Sequence, residues 1–176
     1  MDAEDTTDPQ APTDPALAWC PSGRADAPEA VVLGVRSRSD GTLTYLAQPV
    51  PAADVQSLIP DNIEPTRVLR FATHCVSSCA HRSGNDCTLI SKIRTLPAAA
   101  ESGLPRCHLR AHCKWWRQTG SAACGHCPAV ATAVRSDDDV FVRVADPSVT
   151  PDQLREWIEA NPDGPAAALA SSPVHD

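Results

Sequence analysis

Apolar positions come in short, interrupted runs along this chain. Residues 30–36 (AVVLGVR) are a nearly continuous apolar segment of strand length. Ser37 to Gly41 carry turn chemistry, and Thr42 to Ala47 resume an extended pattern, so a hairpin is predicted. Pro51 to Ile59 predicts a short helix with Val55, Leu58 and Ile59 on one side and Pro60 as its stop. Thr66 to Ala72 (TRVLRFA) predicts a third strand, with Val68 and Arg70 on one face and Arg67, Leu69 and Phe71 on the other. Leu89, Ile90, Ile93 and Leu96 recur at helical spacing, which predicts a helix over Cys87–Leu96. Pro97 and Gly103-Leu104-Pro105 break that pattern, and Lys114–Gln118 predicts another short helix ended by Gly120. The run PAVATAV after Cys127 is ambiguous, whereas Asp139–Ala145 (DVFVRVA) alternates apolar and polar residues as a strand does. Thr150-Pro151-Asp152-Gln153 starts a helix: Thr150 caps, proline suits the first helical position, and Gln153 reaches back. Leu154, Trp157 and Ile158 form its apolar face, and packing is the simpler use of Trp157.

These elements predict an α+β fold, a small antiparallel sheet with short helices around a cysteine-rich, metal-stabilised lobe. The 176 residues suit one domain, expected over 19–160, with the cysteine-rich region at 74–127. Residues 1–18 are rich in Asp, Pro, Thr and Ala and are expected to be disordered, as is the tail 161–176. No apolar run approaches the roughly 18–20 residues of a membrane span. The acidic start lacks the apolar stretch of a secretory signal, so a cytoplasmic, reducing environment is expected.

Charge changes this picture in the middle of the chain. The net charge is -7, yet residues 66–117 carry nine basic side chains and only Asp86 and Glu101 as acids. A basic segment between acidic flanks suits an anionic partner: an acidic redox protein, nucleic acid or an anionic cofactor. The plainer reading is a solvated surface whose charge is offset by the flanks.

Seven of the eight cysteines and five of the six histidines lie between positions 74 and 127. In a reducing compartment such clustering points to metal or redox chemistry. The denser half holds Cys107-His108, His112-Cys113-Lys114-Trp115-Trp116 and then Cys124-Gly125-His126-Cys127-Pro128. Two cysteines separated by two residues place both sulfurs on one centre, and proline straight after the last is expected to end the loop, as in ferredoxin cluster motifs. Structural zinc favours two close pairs, but only one such pair exists here. The other gaps are three, seven, nineteen, five and ten residues. A cluster is wider than a single ion and tolerates uneven spacing, and it is anionic, so Arg106, Arg110, Lys114 and Arg117 would offset its charge. An iron–sulfur cluster, 4Fe–4S or 2Fe–2S, is therefore favoured over zinc.

Eight cysteines allow two centres. The natural division is Cys107, Cys113, Cys124 and Cys127 for one, and Cys75, Cys79 and Cys87 with distant Cys20 for the other. Cys20 is equally readable as a free core thiol, with His74 or His81 as the replacement ligand. Most of the histidines are otherwise expected in exposed loops.

The stretches CPSGR at Cys20, VVLGV, TYLAQPVP at Thr44–Pro51, VLRFATHC ending at Cys75, and LPRCHLRAHCKWWRQTGSAACGHCPAVAT resemble a small bacterial family loosely labelled "nitrogen fixation protein". The resemblance covers about two thirds of the chain and implies no particular activity. A second, local resemblance is to the 2Fe–2S motif of ferric-siderophore reductases, which has adjacent cysteines, ten residues, a cysteine, two residues and a last cysteine. Cys113, Cys124 and Cys127 match it, but His112 stands where its first cysteine would be. That resemblance implies His112 or Cys107 as the remaining ligand.

The function expected from the residues is a small iron–sulfur protein that carries electrons to or from a larger enzyme, or serves it as a redox accessory. Trp115 and Trp116 would shield the cluster from water. The alternative is a zinc-stabilised module whose basic segment and paired tryptophans contact nucleic acid or a protein partner. No phosphate loop, G-x-S-x-G elbow or H-E-x-x-H motif marks a stand-alone enzyme. Catalytic residues are accordingly unassigned.

Overall fold

The computed structural model describes residues 18–37, 39, 41–98, 103–130 and 139–164. The expected disordered segment 1–18 falls outside the described residues except for Ala18, the tail does so from residue 165, and most of PAVATAV does so too.

The apolar run at 30–36 forms strand β2 (Val31–Arg36), and its hairpin partner β3 (Leu43–Pro51) is longer than predicted. Their register shifts between Val32 and Gly34, and Gly34 is needed there: a Cβ at this position would stand 2.6 Å from the Thr44 carbonyl oxygen. The third strand, β4 (Leu69–His74), starts later than expected, because Pro65–Arg67 form a 3-10 turn first. A two-residue strand, β1 (Trp19–Cys20), pairs with the end of β4 and completes an antiparallel sheet of order β1-β4-β2-β3. The α+β class with a small antiparallel sheet is thus the fold of the described residues.

Both faces of this sheet are covered. Val32 and Phe71 pack with Ala30 and Ala52 on one side, and Leu33 and Ala72 pack with Trp19 and Leu109 on the other. The helix that supplies Ala52, α1 (Ala52–Gln56), is shorter than predicted, and Leu58, expected on its apolar face, is exposed. Arg70, which the pattern placed with Val68, is among the most buried side chains, at 1% exposure.

Beyond the sheet, β5 (Arg82–Ser83) and β6 (Asp86–Cys87) make a minimal hairpin that leads directly into α2 (Thr88–Ile93). Helices α3 (Lys114–Thr119) and α4 (Ser121–His126) follow, separated by Gly120 at φ 62°. Such a backbone angle suits glycine and permits a sharp turn between two helices. Asp139–Ala145 is a helix, α5, and not the predicted strand. Val140, Phe141 and Val144 are buried while Val142 is exposed, which is a helical stripe against α2. The last helix, α6 (Pro151–Ala160), begins as predicted. Thr150 accepts from the Gln153 amide and Gln153 accepts from the Thr150 amide, a complete capping box. Leu154 is fully buried against α2 and α5, with Trp157 and Ile158 packed at its edge.

Two buried cations tie the parts together. Lys92 of α2 donates to the Asp146 carbonyl just past the end of α5 (2.6 Å). Burial lowers its pKa, partly offset by Asp146. Arg70 of β4 spans from the sheet to the segment after α4: its Nε donates to the Pro21 carbonyl (2.6 Å), and its Nη1 donates to the carbonyls of Cys127 and Val130. No helix among the described residues is long and apolar enough to cross a membrane.

Candidate metal centre

Cys107, Cys113, Cys124 and Cys127 line one small cavity that is partly open to solvent. Trp19, Pro21, Tyr45, Leu109, Arg110 and Trp115 are also in its wall. The elements explain the convergence. Cys107 opens the turn that delivers Leu109 to the sheet, and Cys113 occupies the N-cap of α3. The Cys113 backbone also bridges to Trp19 in β1. Cys124 lies within α4 and Cys127 begins a 3-10 turn, with Pro128 inside that turn. The expected loop around the two-residue spacing is therefore helical, and Pro128 does not end it.

The thiols influence one another as neighbours do. Burial pushes the Cys113 pKa up to about 12; the Trp116 and Trp115 amides lower it, while Cys127 and Cys107 raise it. Cys107 is raised mainly by burial, the Leu109 amide opposes this, Cys127 and Cys124 add to it, and Arg110 opposes it. Tyr45 is held well above the usual phenol range by burial and then by Cys127, to which its hydroxyl is hydrogen-bonded.

Cys20, Cys75, Cys79 and Cys87 form a second group. Burial pushes Cys20 up to about 12, opposed by the Ser22 amide and reinforced by Cys87, Cys75 and Cys79. Cys75 is raised by burial and then by Cys87 and Cys79, while Lys114 and Arg82 lower it. Local structure supplies each member. Cys20 sits on β1 opposite Thr73, and the Cys75 amide bonds to the Ala18 carbonyl (2.7 Å) just beyond β4. Cys79 begins the turn into β5, and Cys87 ends β6. Gln118 of α3 clamps Cys87, accepting from its amide (2.8 Å) and donating to its carbonyl (3.2 Å).

All eight cysteines are thus free thiols sorted into two sets of four. Side chains alternate along a strand, so β1 presents Trp19 to one set and Cys20 to the other. Among the described residues no three His, Cys, Asp or Glu side chains converge tightly enough to hold a single metal ion. The first set lines a small cavity instead.

The histidines differ from expectation. His74, His81, His108, His112 and His126 are all half-buried, and none is an exposed loop residue. His126 contacts the Ala122 and Leu96 carbonyls through its two ring nitrogens, and His108 contacts the Leu46 carbonyl. His74 packs edge-on against Trp19 (4.5 Å between ring centroids). Cys107, and not His112, lines the cavity with Cys113, Cys124 and Cys127.

Several members of the site carry no cysteine signal and were missed in the sequence. Trp19, Tyr45 and Arg70 lie far from the dense cysteine region in the chain and are brought in by the sheet. Arg36 joins Arg70 behind the Cys127–Val130 segment, donating to the Val130 carbonyl (3.1 Å). Its pKa is lowered by burial and then by Arg70. Two partly or fully buried guanidiniums therefore share one side of the cysteine segment and bond only to carbonyls. That electrostatic arrangement favours negative charge nearby. Of the four cations expected beside the site, Arg110 lines the cavity and Lys114 influences Cys75, while Arg106 and Arg117 are exposed.

No family model matches this chain, and neither a curated protein nor a solved structure does.

Proposed function

We propose that this protein is an iron–sulfur carrier with two cluster sites, passing electrons to or from a larger enzyme. The observation that carries the reading is the partition of the eight cysteines into two sets of four, one on each side of β1. Four thiolates lining one cavity suit a cluster, whose ligand sulfurs stand farther apart than those of one ion. The residues present fit an anionic group of that kind. Arg70 and Arg36 bring positive charge without a carboxylate partner, and Trp19, Trp115 and Arg110 hold buried N–H groups with no acceptor. When bound, a cluster supplies one-electron redox chemistry. The chain's own part is to bind it, exclude water with Trp115 and Leu109, and present a surface to partners.

The second set lies beside an exposed loop. Cys75 and Cys79 flank the exposed Val76, Ser77 and Ser78, and Arg82 and Lys114 place positive charge beside them. An acidic redox protein fits this face.

Anaerobic purification with iron, zinc and acid-labile sulfide analysis tests the proposal. The expected result is coloured protein with iron matched by sulfide: about eight of each for two four-iron clusters, or about four for two two-iron clusters. Colourless protein with stoichiometric zinc would overturn it in favour of the zinc-stabilised binding module.

A further inference from the structure

We propose that Trp19 and Trp115 are hydrogen-bond donors to the sulfur atoms of the centre held by Cys107, Cys113, Cys124 and Cys127, and that they raise its reduction potential. This inference rests on the iron–sulfur reading and assigns the two indoles a role within it.

Both side chains are nearly inaccessible, Trp19 at 8% exposure and Trp115 at 1%. Both line the cysteine-ringed cavity. In both, the indole Nε1–H is buried without an acceptor. A buried tryptophan N–H usually finds a partner, because leaving it unpaired forfeits its hydration without compensation. Two tryptophans that line one cavity, each with an unpaired N–H, point to a shared acceptor held between them. Apart from the thiols and the Tyr45 hydroxyl, the cavity side chains are mostly apolar: Pro21, Pro105, Leu109 and Ala123. The Arg110 Nε, buried and equally unpaired, lies in the same wall. A ligand that brings several anionic acceptors satisfies all three donors, and bridging sulfides with thiolates do so. Hydrogen bonds to sulfur stabilise the reduced state, which carries one more negative charge, so they raise the potential. The second set has no comparable pair of indoles among the described residues. The centre held by Cys107, Cys113, Cys124 and Cys127 is then the better electron acceptor of the two.

The test is redox titration of the protein loaded with iron and sulfide, following the two centres by visible and paramagnetic resonance spectra. Trp19→Phe and Trp115→Phe keep a ring in place and delete the N–H. Each is expected to lower the potential of one centre at unchanged iron and sulfide content, while Trp157→Phe on α6 leaves both potentials alone. Unchanged potentials in both fully loaded cavity variants would overturn the assignment. If either variant loads poorly, the unaltered protein labelled with 15N-tryptophan decides. Hyperfine coupling at two of its four indole nitrogens supports the proposal, and coupling at none overturns it. Absence of matched iron and sulfide in the unaltered protein is a different result, and it removes the iron–sulfur reading itself.

Discussion

The thiols of Cys20 and Cys113 illustrate what folding does to single residues here. Each has an ordinary value of 9.0 in the unfolded chain and rises to about 12 when buried. A raised thiol pKa means that the folded, metal-free chain holds its proton over a range where the unfolded chain has lost it. The folded state binds more protons between pH 9 and 12, so stability is fully present below pH 9 and falls as pH rises through that window. The expected slope approaches about 1.4 kcal/mol per pH unit for each thiol. Denaturant titrations of the metal-free protein between pH 8 and 11 measure it, and Cys20→Ser should remove a share of the slope. A flat profile would mean that neither thiol is desolvated. The same chemistry makes loading proton-coupled, since ligand thiols must deprotonate to bind metal.

Among the elements, α3 reaches both sets of cysteines. Its start presents Cys113 to one set and its last turn presents Gln118 to the backbone of Cys87 in the other. Gln118→Leu keeps the side-chain volume but leaves the Cys87 amide without its acceptor and the Cys87 carbonyl with the Ser91 hydroxyl alone (3.4 Å), a cost of about 1–3 kcal/mol. The expected outcome is a destabilised protein that retains iron at the first set and loses it preferentially at the second, read by iron content and thermal unfolding. Equal loss from both sets would show that the clamp serves the fold in general. This pairing of α3 with β6 was invisible in the sequence, because glutamine at the end of a short helix carries no pattern. The elements that could be read were those fixed by local rules. The hairpin β2–β3 announced itself by its turn, and the α6 start by Thr150 and Gln153. Helix α5 was misread because its three valines alternate, and Val140 and Val144 are also one helical turn apart. Packing against α2 and α6 decides between the two periods, and a seven-residue window does not contain it.

At the scale of the whole molecule, the spacing suggests Cys107, Cys113, Cys124 and Cys127 as one centre, and Cys75, Cys79 and Cys87 with either Cys20 or a histidine as the other; the first four line one cavity, and Cys87, Cys75 and Cys79 each raise the pKa of Cys20. What spacing did not contain was their proximity. Trp19 and Cys20 are adjacent on a strand, Trp19 bridges to Cys113, and Cys20 belongs to the other set. Neighbouring residues of one strand therefore lead to the two sets. On the proposed iron–sulfur reading, two paramagnetic centres reached from one strand, in an interior of low dielectric, interact both magnetically and electrostatically. Adding an electron to one raises the cost of adding the next. The fully reduced protein is expected to show a spin-coupled resonance spectrum that is not the sum of two isolated centres. Cys79→Ala and Cys124→Ala should each lose about half the iron, and the remaining centre in each should give a simple, uncoupled signal. Its potential should also be higher than in the intact protein, because the negative charge across β1 is gone. Two independent signals in the fully reduced protein, unchanged by either substitution, would mean that the strand separates the sets farther than their shared backbone implies.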